Sequence, residues 1–567
     1  MSKSNTKRKR RLLFLLSIIF IISISIYGFI KITPIKIGTE IKYVSSNIEK
    51  VSLYDETFKE VDYIYRGKKV KVYLSLVNDE NNNKYYKINY NGKDLYIKES
   101  NLVKETKLVV QESKVFVRTP SSIYKSIDNS SILGLASKGQ ALDVIGFDKV
   151  DNQGRVNFYK TKVNDNEGYI YAKYVLLNEE DANKQYEPVT YYDVHNNRGN
   201  RYNGGHAGNL DYYPVSKPKF EDNVMPDKVY ALYLNGGSNV IGNVDEYIKY
   251  AKTTNINAFV VDIKDNQSPS YKSPVSERYS PTNYKYGNNS FDKYKDAIKK
   301  IKEAGFYVIG RITVFKDKYY CNDHPEDAIL NTETNEPFLH NGTYWPSAYK
   351  RTVWEYNVEL AKEAVKEMGF NEIQFDYVRF PDQTGTYEKS GLMDFRNEYK
   401  EDKGQAIQRF LMYATDEIHK LGAYVAADVF GESAYDYVTA YGQYWPAISN
   451  VVDVISGMPY PDHFAKNTYG LPVPWTEPYE LLYRWGSKYV MQRQKEIPTP
   501  ATVRTWIQVY DVANYKHPGG YAYGFNQIDA QIRGLFDAGL TGGYMTWLSY
   551  SGLDKYKSQK EVYDKEY

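Results

Sequence analysis

The sequence predicts an α/β protein whose C-terminal part is a (β/α)8 TIM barrel, preceded by small all-β modules and an N-terminal transmembrane helix. Three observations carry this reading. From Val229 onward one unit recurs: an amphipathic helix, a glycine, then an apolar strand. Between about residues 40 and 180, short alternating strands and turns repeat. Leu12 to Ile30 is a 19-residue apolar run preceded by six basic residues.

The apolar run comes first. At a rise of about 1.5 Å per residue, a helix of that length nearly crosses a hydrocarbon core of about 30 Å. Lys3, Lys7, Arg8, Lys9, Arg10 and Arg11 precede it. Positive charge on that side predicts a cytoplasmic tail (1–11), an anchor (12–30) and an exported, extracellular remainder at the cell membrane. A cleaved signal peptide is the alternative, although the run is long for one and no clear Ala-x-Ala site follows.

Two modules follow, 40–104 and 105–180. Gly67-Lys-Lys-Val-Lys-Val72 leads to Tyr85-Tyr-Lys-Ile-Asn-Tyr-Asn-Gly-Lys-Asp-Leu-Tyr-Ile97. Gly139-Gln-Ala-Leu-Asp-Val144 leads likewise to a stretch ending in Gly168-Tyr-Ile170. Period-2 alternation punctuated by Asn, Gly and Asp predicts small barrels. With Val115-Phe-Val-Arg118, Ile132-Leu-Gly134 and Lys138-Gly139, the second module resembles a bacterial SH3-like domain, and the first does so more faintly. The resemblance implies an envelope setting, with cell-wall peptides or glycans as ligands, or a spacer lifting the barrel off the membrane. Residues 181–226, rich in Asn, Gly, Pro and Tyr, read as a linker.

The barrel is predicted over 227–556. One helix runs from a Ser290 cap through Tyr294, Ile298 and Ile301 to Gly305. Others place Trp354, Val358, Ala361, Val365 and Met368 before Gly369, Ile407, Leu411, Ala414, Ile418 and Leu421 before Gly422, and Ile528, Ile532 and Leu535 before Gly539. Spacing of three and four makes an apolar stripe, and glycine accepts the left-handed cap. Strands are expected to begin near Val229, Ala258, Tyr307, Glu372, Tyr424, Val452, Thr502 and Gly543. A doubly wound open sheet is the alternative, but Leu234-Asn-Gly-Gly-Ser238 is a poor phosphate loop.

Composition excludes some classes. A formal net charge of +3 over 567 residues gives no basic body for nucleic acid. The single cysteine, Cys321, excludes a disulfide framework and lies in no nucleophile setting. No P-loop, Gly-x-Ser-x-Gly elbow or His-Glu-x-x-His helix occurs. Asp262, Asp265 and His463 suit a metal only weakly, so no metal or cofactor is expected. The 59 tyrosines either fill cores and strands or offer stacking faces to sugar rings.

Chemistry in a parallel barrel sits at the carboxyl ends of its strands. Those ends carry Asp262, Arg311, Asp376 with Tyr377 and Arg379, Asp428, Tyr460 with His463, Trp506 with Gln508, and Trp547. Neighbouring strands lie about 4.8 Å apart. Asp376 and Asp428, on strands four and five, are therefore the expected catalytic carboxylate pair. Glycoside hydrolysis asks for two carboxyl groups, one of them protonated. Like charge raises one pKa and a nearby arginine, Arg379 or Arg311, lowers the other. The remaining residues of the set are expected substrate contacts.

Residues 228–555 also resemble a TIM-barrel family assigned to bacterial glycoside hydrolases, the domain of unknown function 4015. The resemblance rests on Val260-Val-Asp-Ile-Lys-Asp265, Tyr356-Asn-Val-Glu-Leu-Ala361, Glu372-Ile-Gln-Phe-Asp-Tyr-Val-Arg-Phe-Pro381, Ala427-Asp-Val-Phe-Gly431, Ile455-Ser-Gly-Met-Pro-Tyr-Pro-Asp-His463 and Trp506-Ile-Gln-Val-Tyr510. The sixth-strand segment departs from the family pattern at Gly457 and Asp462. By analogy with barrel glycosidases, the resemblance implies Asp376 as nucleophile or charged stabiliser and Asp428 as general acid/base, acting on a cell-wall or surface polysaccharide. A non-catalytic glycan-binding or envelope-assembly protein is the competing expectation.

Overall fold

The structure, a computed structural model, describes residues 38–128, 130–163, 166–184, 194–198, 203–266 and 268–567. The expected tail and anchor, 1–30, lie outside these residues, as does part of the 181–226 linker. Among the described residues no helix is long and apolar enough to cross a membrane. The chain divides into two compact units, one running to Arg118 and resuming over Gly139–Ala182, the other holding Thr119–Lys138 and Asn183–Tyr567. The division cuts through 105–180, the second expected module.

The described part of the first unit is β apart from single 3₁₀ turns and a short helix beginning at Glu179. Seven strands between Thr39 and Val103 form one antiparallel sheet. Lys69–Asn78 alternates at its start, with Val70 and Val72 buried and Lys69 and Lys71 exposed. Lys84–Tyr90 and Lys93–Lys98 are joined by Asn91-Gly92, both at positive φ (51° and 78°), the hairpin geometry Asn-Gly favours. The sequence repeat has a structural counterpart. A hairpin, a 3₁₀ turn and a two-residue strand end the first copy at Glu99–Asn101 and Leu102–Val103. The same series ends the second at Ala172–Tyr174 and Val175–Leu176. A buried ion pair, Arg66 Nη1 to Glu112 Oε1 at 2.5 Å, joins the two, and the Tyr159 hydroxyl donates to the same oxygen.

In the second unit the barrel strands are β1 (Val229–Leu234), β2 (Ala258–Lys264), β3 (Tyr307–Thr313), β4 (Glu372–Asp376), β5 (Tyr424–Phe430), β6 (Val454–Met458), β7 and β8 (Gly543–Trp547). β7 is in two pieces, Thr502–Val503 and Thr505–Gln508, interrupted at Arg504. All pairings are parallel and run in sequence order from β1 to β8. β8 pairs with β1, and the two pieces of β7 pair with β6 and β8, so the sheet closes. Burial on both faces gives the near-continuous apolar runs of these strands. The helices end as their glycines predict: Gly305, Gly369, Gly422 and Gly539 all have positive φ.

Side chains two apart along each strand fill the interior. Val229, Ala231, Tyr233, Ala258, Val260, Tyr307, Ile309, Tyr424, Trp506 and Met545 share one core cluster. At the amino end, Arg504 Nη1 donates to Glu372 Oε1 at 2.7 Å, with both side chains fully buried. One level up, Gln374 reaches Ser456 Oγ and Met545 Sδ. Phe220 and Met225, from the segment read as a linker, pack against this interior cluster. The long connection after β3 and the one after β4 together build an outgrowth, a small antiparallel sheet of residues 330–331, 336–337 and 393–394. Its core is Ile329, Phe338, Trp345 and Met393, with Tyr377 against them.

Candidate active site

Continuing the same two-residue period upward gives the last interior level at the carboxyl ends. Tyr233, Asp262, Arg311, Asp376, Asp428, Trp506 and Trp547 follow in strand order, with Met458 of β6 between Asp428 and Trp506. Four charged residues on the neighbouring strands β2 to β5 thus form an arc of this level, completed by Tyr233, Met458, Trp506 and Trp547.

Arg311 is the centre of this level. Its Nη1 donates to Asp262 Oδ1 at 2.8 Å. Its Nε and Nη2 both donate to Asp376 Oδ2, at 3.0 and 2.6 Å. Asp265 Oδ1 lies 3.5 Å from Nη1. The guanidinium also stands over the Trp547 ring, 5.3 Å from its centroid. Asp262 accepts a second bond from the Tyr233 hydroxyl, at 2.6 Å on Oδ2. Burial raises Asp262 to about 6, against the opposing pull of Arg311.

Asp376 is held on both oxygens, because its Oδ1 accepts from the Tyr377 backbone N–H at 2.6 Å. That contact comes with φ of 50° at Tyr377, an uncommon conformation for a bulky residue. Burial first, and the Asp376 charge next, push the Tyr377 hydroxyl up to about 12.

Asp428 differs. Its Oδ1 accepts from Trp506 Nε1 at 2.8 Å, and its Oδ2 is buried with no hydrogen-bond partner among the described residues. Burial, and then the neighbouring Asp376 charge, raise it well above the carboxylate range. Phe375 and Ala427 are paired in register, so Asp376 and Asp428 are the next residues on adjacent strands. Two carboxyl groups with opposite surroundings therefore lie side by side: one is in an ion pair, and the other is favoured in its protonated form.

A cavity of about 500 Å³ opens at this end. Asp262, Asp265, Arg311, Tyr377 and Trp547 line it, with Tyr233 and the loop Asn235-Gly-Gly237. Gly236 is required there, since a Cβ would lie 1.7 Å from Ser270 Oγ. The expected open carboxylate pair is corrected here: neither Asp376 nor Asp428 lines the cavity, and Asp428 is 0% exposed. The reason is the aromatic cover. Tyr460, on the connection after β6, and Trp506 belong to the interior cluster, and Tyr460 stacks 6.4 Å from Trp547.

Of the expected substrate contacts, Asp262, Arg311, Tyr377 and Trp547 line the cavity, and the other five do not. Arg379 is buried under Phe430 (4.6 Å), Trp345 and Tyr377, and pairs with Asp382, so Arg311 and not Arg379 is the partner of Asp376. Trp506 is turned inward onto Asp428. Gln508 is fully buried, accepting from the Asp462 N–H and donating to the Tyr510 carbonyl. Tyr460 is buried, and His463 is exposed beside Asp462. Because His463 is outside the cavity, it makes no ligand set there with Asp262 and Asp265. Tyr233 and Asn235 were missed by sequence reasoning. The signal was the Asn-Gly-Gly step closing β1, set aside as a poor phosphate loop.

Residues 231–552, more than half of the chain, match the family model described as "Putative glycosyl hydrolase domain", domain of unknown function 4015. The chain belongs to this family. Among solved structures it is similar to a hypothetical protein from Ruminiclostridium thermocellum ATCC 27405 (33% identity, 35% of this chain and 97% of that one, TM-score 0.29). The PgaB (BpsB) glycoside hydrolase domain from Bordetella bronchiseptica is another match (14% identity, 62% and 100%, TM-score 0.42). The spore cortex-lytic enzyme SleL from Bacillus megaterium QM B1551 is a third (13% identity, 62% and 76%, TM-score 0.36). No curated protein matches the chain.

Proposed function

We propose that the barrel is a glycoside hydrolase acting on a cell-wall or surface polysaccharide, presented outside the cell by a membrane anchor at residues 12–30. One observation carries the reading: Asp376, in an ion pair with Arg311, stands next to Asp428, whose pKa is raised by burial and by that same Asp376 charge. Two carboxyl groups driven apart in this way are the equipment for acid–base glycosidic cleavage. Asp428 supplies the proton through its unpartnered Oδ2, and Asp376 is the charged nucleophile or stabiliser. Asp262, Asp265, Tyr377 and Trp547 hold the sugar in the cavity. Catalysis in this reading requires Tyr460 to swing aside, because Asp428 is sealed beneath the aromatic cover.

A second reading is favoured by that same seal. If Tyr460 stays in place, the cavity binds a glycan without cutting it, and the protein serves recognition or envelope assembly. Wild-type protein and Asp376→Asn, tested against a panel of bacterial cell-surface polysaccharides with reducing-end detection, separate the two. Turnover by the wild type that disappears in the variant supports hydrolysis. Binding without turnover supports recognition, and equal turnover by both proteins rejects the Asp376 assignment.

A further inference from the structure

A second cavity, of about 540 Å³, lies in the same unit and shares no lining residue with the first. It is built by the connection after β5, the connection after β6, and the helical segment 478–494 that follows. Four tyrosines make its wall: Tyr435, Tyr437, Tyr469 and Tyr489. Tyr489 is central, with ring centroids 5.1 Å from Tyr435 and 5.0 Å from Tyr469. Tyr435 and Tyr469 are tied hydroxyl to hydroxyl at 3.0 Å. The rings are half-buried, apart from Tyr437, which is buried.

The backbone is bent to hold this wall. Tyr469 sits at φ 54°, between Asn467 at 65° and Gly470 at 78°. A tyrosine in that region is strained, and such strain persists where surrounding structure enforces it, commonly at ligand sites. The rim is polar. Asp436, Lys488 and Gln492 are exposed and make no side-chain hydrogen bond or ion pair among the described residues. Arg493 completes the lining, and its buried Nε has no partner among those residues.

Each class of ligand makes different demands on such a cavity. An alkylammonium group wants an aromatic cage without competing cations, and Lys488 and Arg493 oppose it. An apolar peptide anchor wants an apolar rim, and this rim is charged and amide-bearing. A pyranose ring has an apolar C–H face and a hydroxyl edge. It matches ring faces below and donors and acceptors around them. Arg493 is paired with Glu496 at 3.1 Å, but Glu496 is shared with Arg198, so with Lys488 against Asp436 the surroundings stay cationic and suit a neutral or acidic sugar, not a basic one.

We propose that the Tyr435–Tyr469–Tyr489 cavity is a second glycan-binding site, taking a neutral or acidic pyranose chain. It rests on reading the barrel as carbohydrate-directed but not on hydrolysis. The site holds a polymer while the cavity at β1–β3 engages another part of it.

The test uses the full chain carrying Asp376→Asn, so that no turnover occurs, on a microarray of neutral, acidic and amino-bearing bacterial glycans. The proposal expects binding to neutral or acidic glycans. Tyr469→Ala or Tyr489→Ala should weaken it about threefold to tenfold, the range one lost aromatic contact is worth. Tyr435→Phe, which keeps the ring, should retain it. Circular dichroism melting checks that each variant is folded. No bound glycan, binding indifferent to Tyr469 and Tyr489 in folded variants, or preference for the amino-bearing glycans overturns the site. Absence of wild-type turnover on the same glycans would reject the hydrolase reading and leave this result untouched.

Discussion

Arg311 holds Asp376 with two nitrogens on a single carboxylate oxygen, Nε at 3.0 Å and Nη2 at 2.6 Å from Oδ2. Its remaining nitrogen, Nη1, serves Asp262 at 2.8 Å. One buried cation is therefore shared by two buried acids from the strands on either side of it. Removing it leaves two uncompensated charges, which costs more than the ion pairs themselves contribute. Arg311→Met is expected to destabilise the barrel by about 3–5 kcal/mol at pH 7, read by urea unfolding of purified protein. A loss below about 1 kcal/mol would mean that the arc does not depend on this guanidinium.

Asp428 makes a prediction of opposite sign. Its folded pKa is raised, by burial first and by Asp376 next, so the native state keeps a proton that the unfolded chain gives up. That contribution is fully present below the unfolded pKa of about 4 and is lost as pH rises through the folded value. Asp428→Asn cannot ionise. Its melting temperature relative to wild type should climb between pH 5 and pH 8, while turnover falls by about 10²–10⁴-fold. An unchanged difference across that range would show that Asp428 holds no proton.

Asp262 titrates in the open cavity, raised by burial to about 6. Below that pH it carries a proton, and the pattern of acceptors facing Tyr233 and Arg311 is lost. The rate kcat/KM should therefore rise as pH increases through about 6 and fall again at the higher pH where Asp428 gives up its proton. The Asp262→Asn profile should lose that acidic limb, and an identical limb in the variant would assign it to another group.

Tyr377 joins Asp376 to the open cavity. Its N–H fixes Asp376 while its ring lines the cavity. Asparagine tolerates the left-handed backbone that φ of 50° demands and keeps the N–H. Tyr377→Asn should thus raise KM at least about fivefold with kcat within about twofold, the signature of lost ground-state contact. A fall in kcat alone would place the ring's contribution in the transition state.

Much of the barrel was readable in the chain. The 3-4 spacing of Tyr294, Ile298 and Ile301 before Gly305 encodes a helix and its stop, because apolar stripe and left-handed cap are local properties. Strand starts at Val229, Ala258, Tyr307, Glu372, Tyr424, Thr502 and Gly543 fall where the texture changes, and the start expected at Val452 falls at Val454. Trp506 misled for the same local reason: a tryptophan at a strand end looks alike whether it faces a sugar or a buried carboxyl.

Closure of the sheet, weighed against an open one, came only with the pairing of β8 and β1, whereas the chain alone encodes the alternation of helix and strand and the placement of Asp262, Arg311, Asp376 and Asp428 at strand carboxyl ends. Those follow from periodicity and strand order. It took the folded chain to show that Arg311, and not Arg379, pairs with Asp376, that Trp506 and Tyr460 turn inward to cover Asp428, and that the open cavity lies toward β1, β2 and β8. Partner choice and exposure depend on where loops from distant parts of the chain set their side chains. Neighbours along the chain carry no record of that.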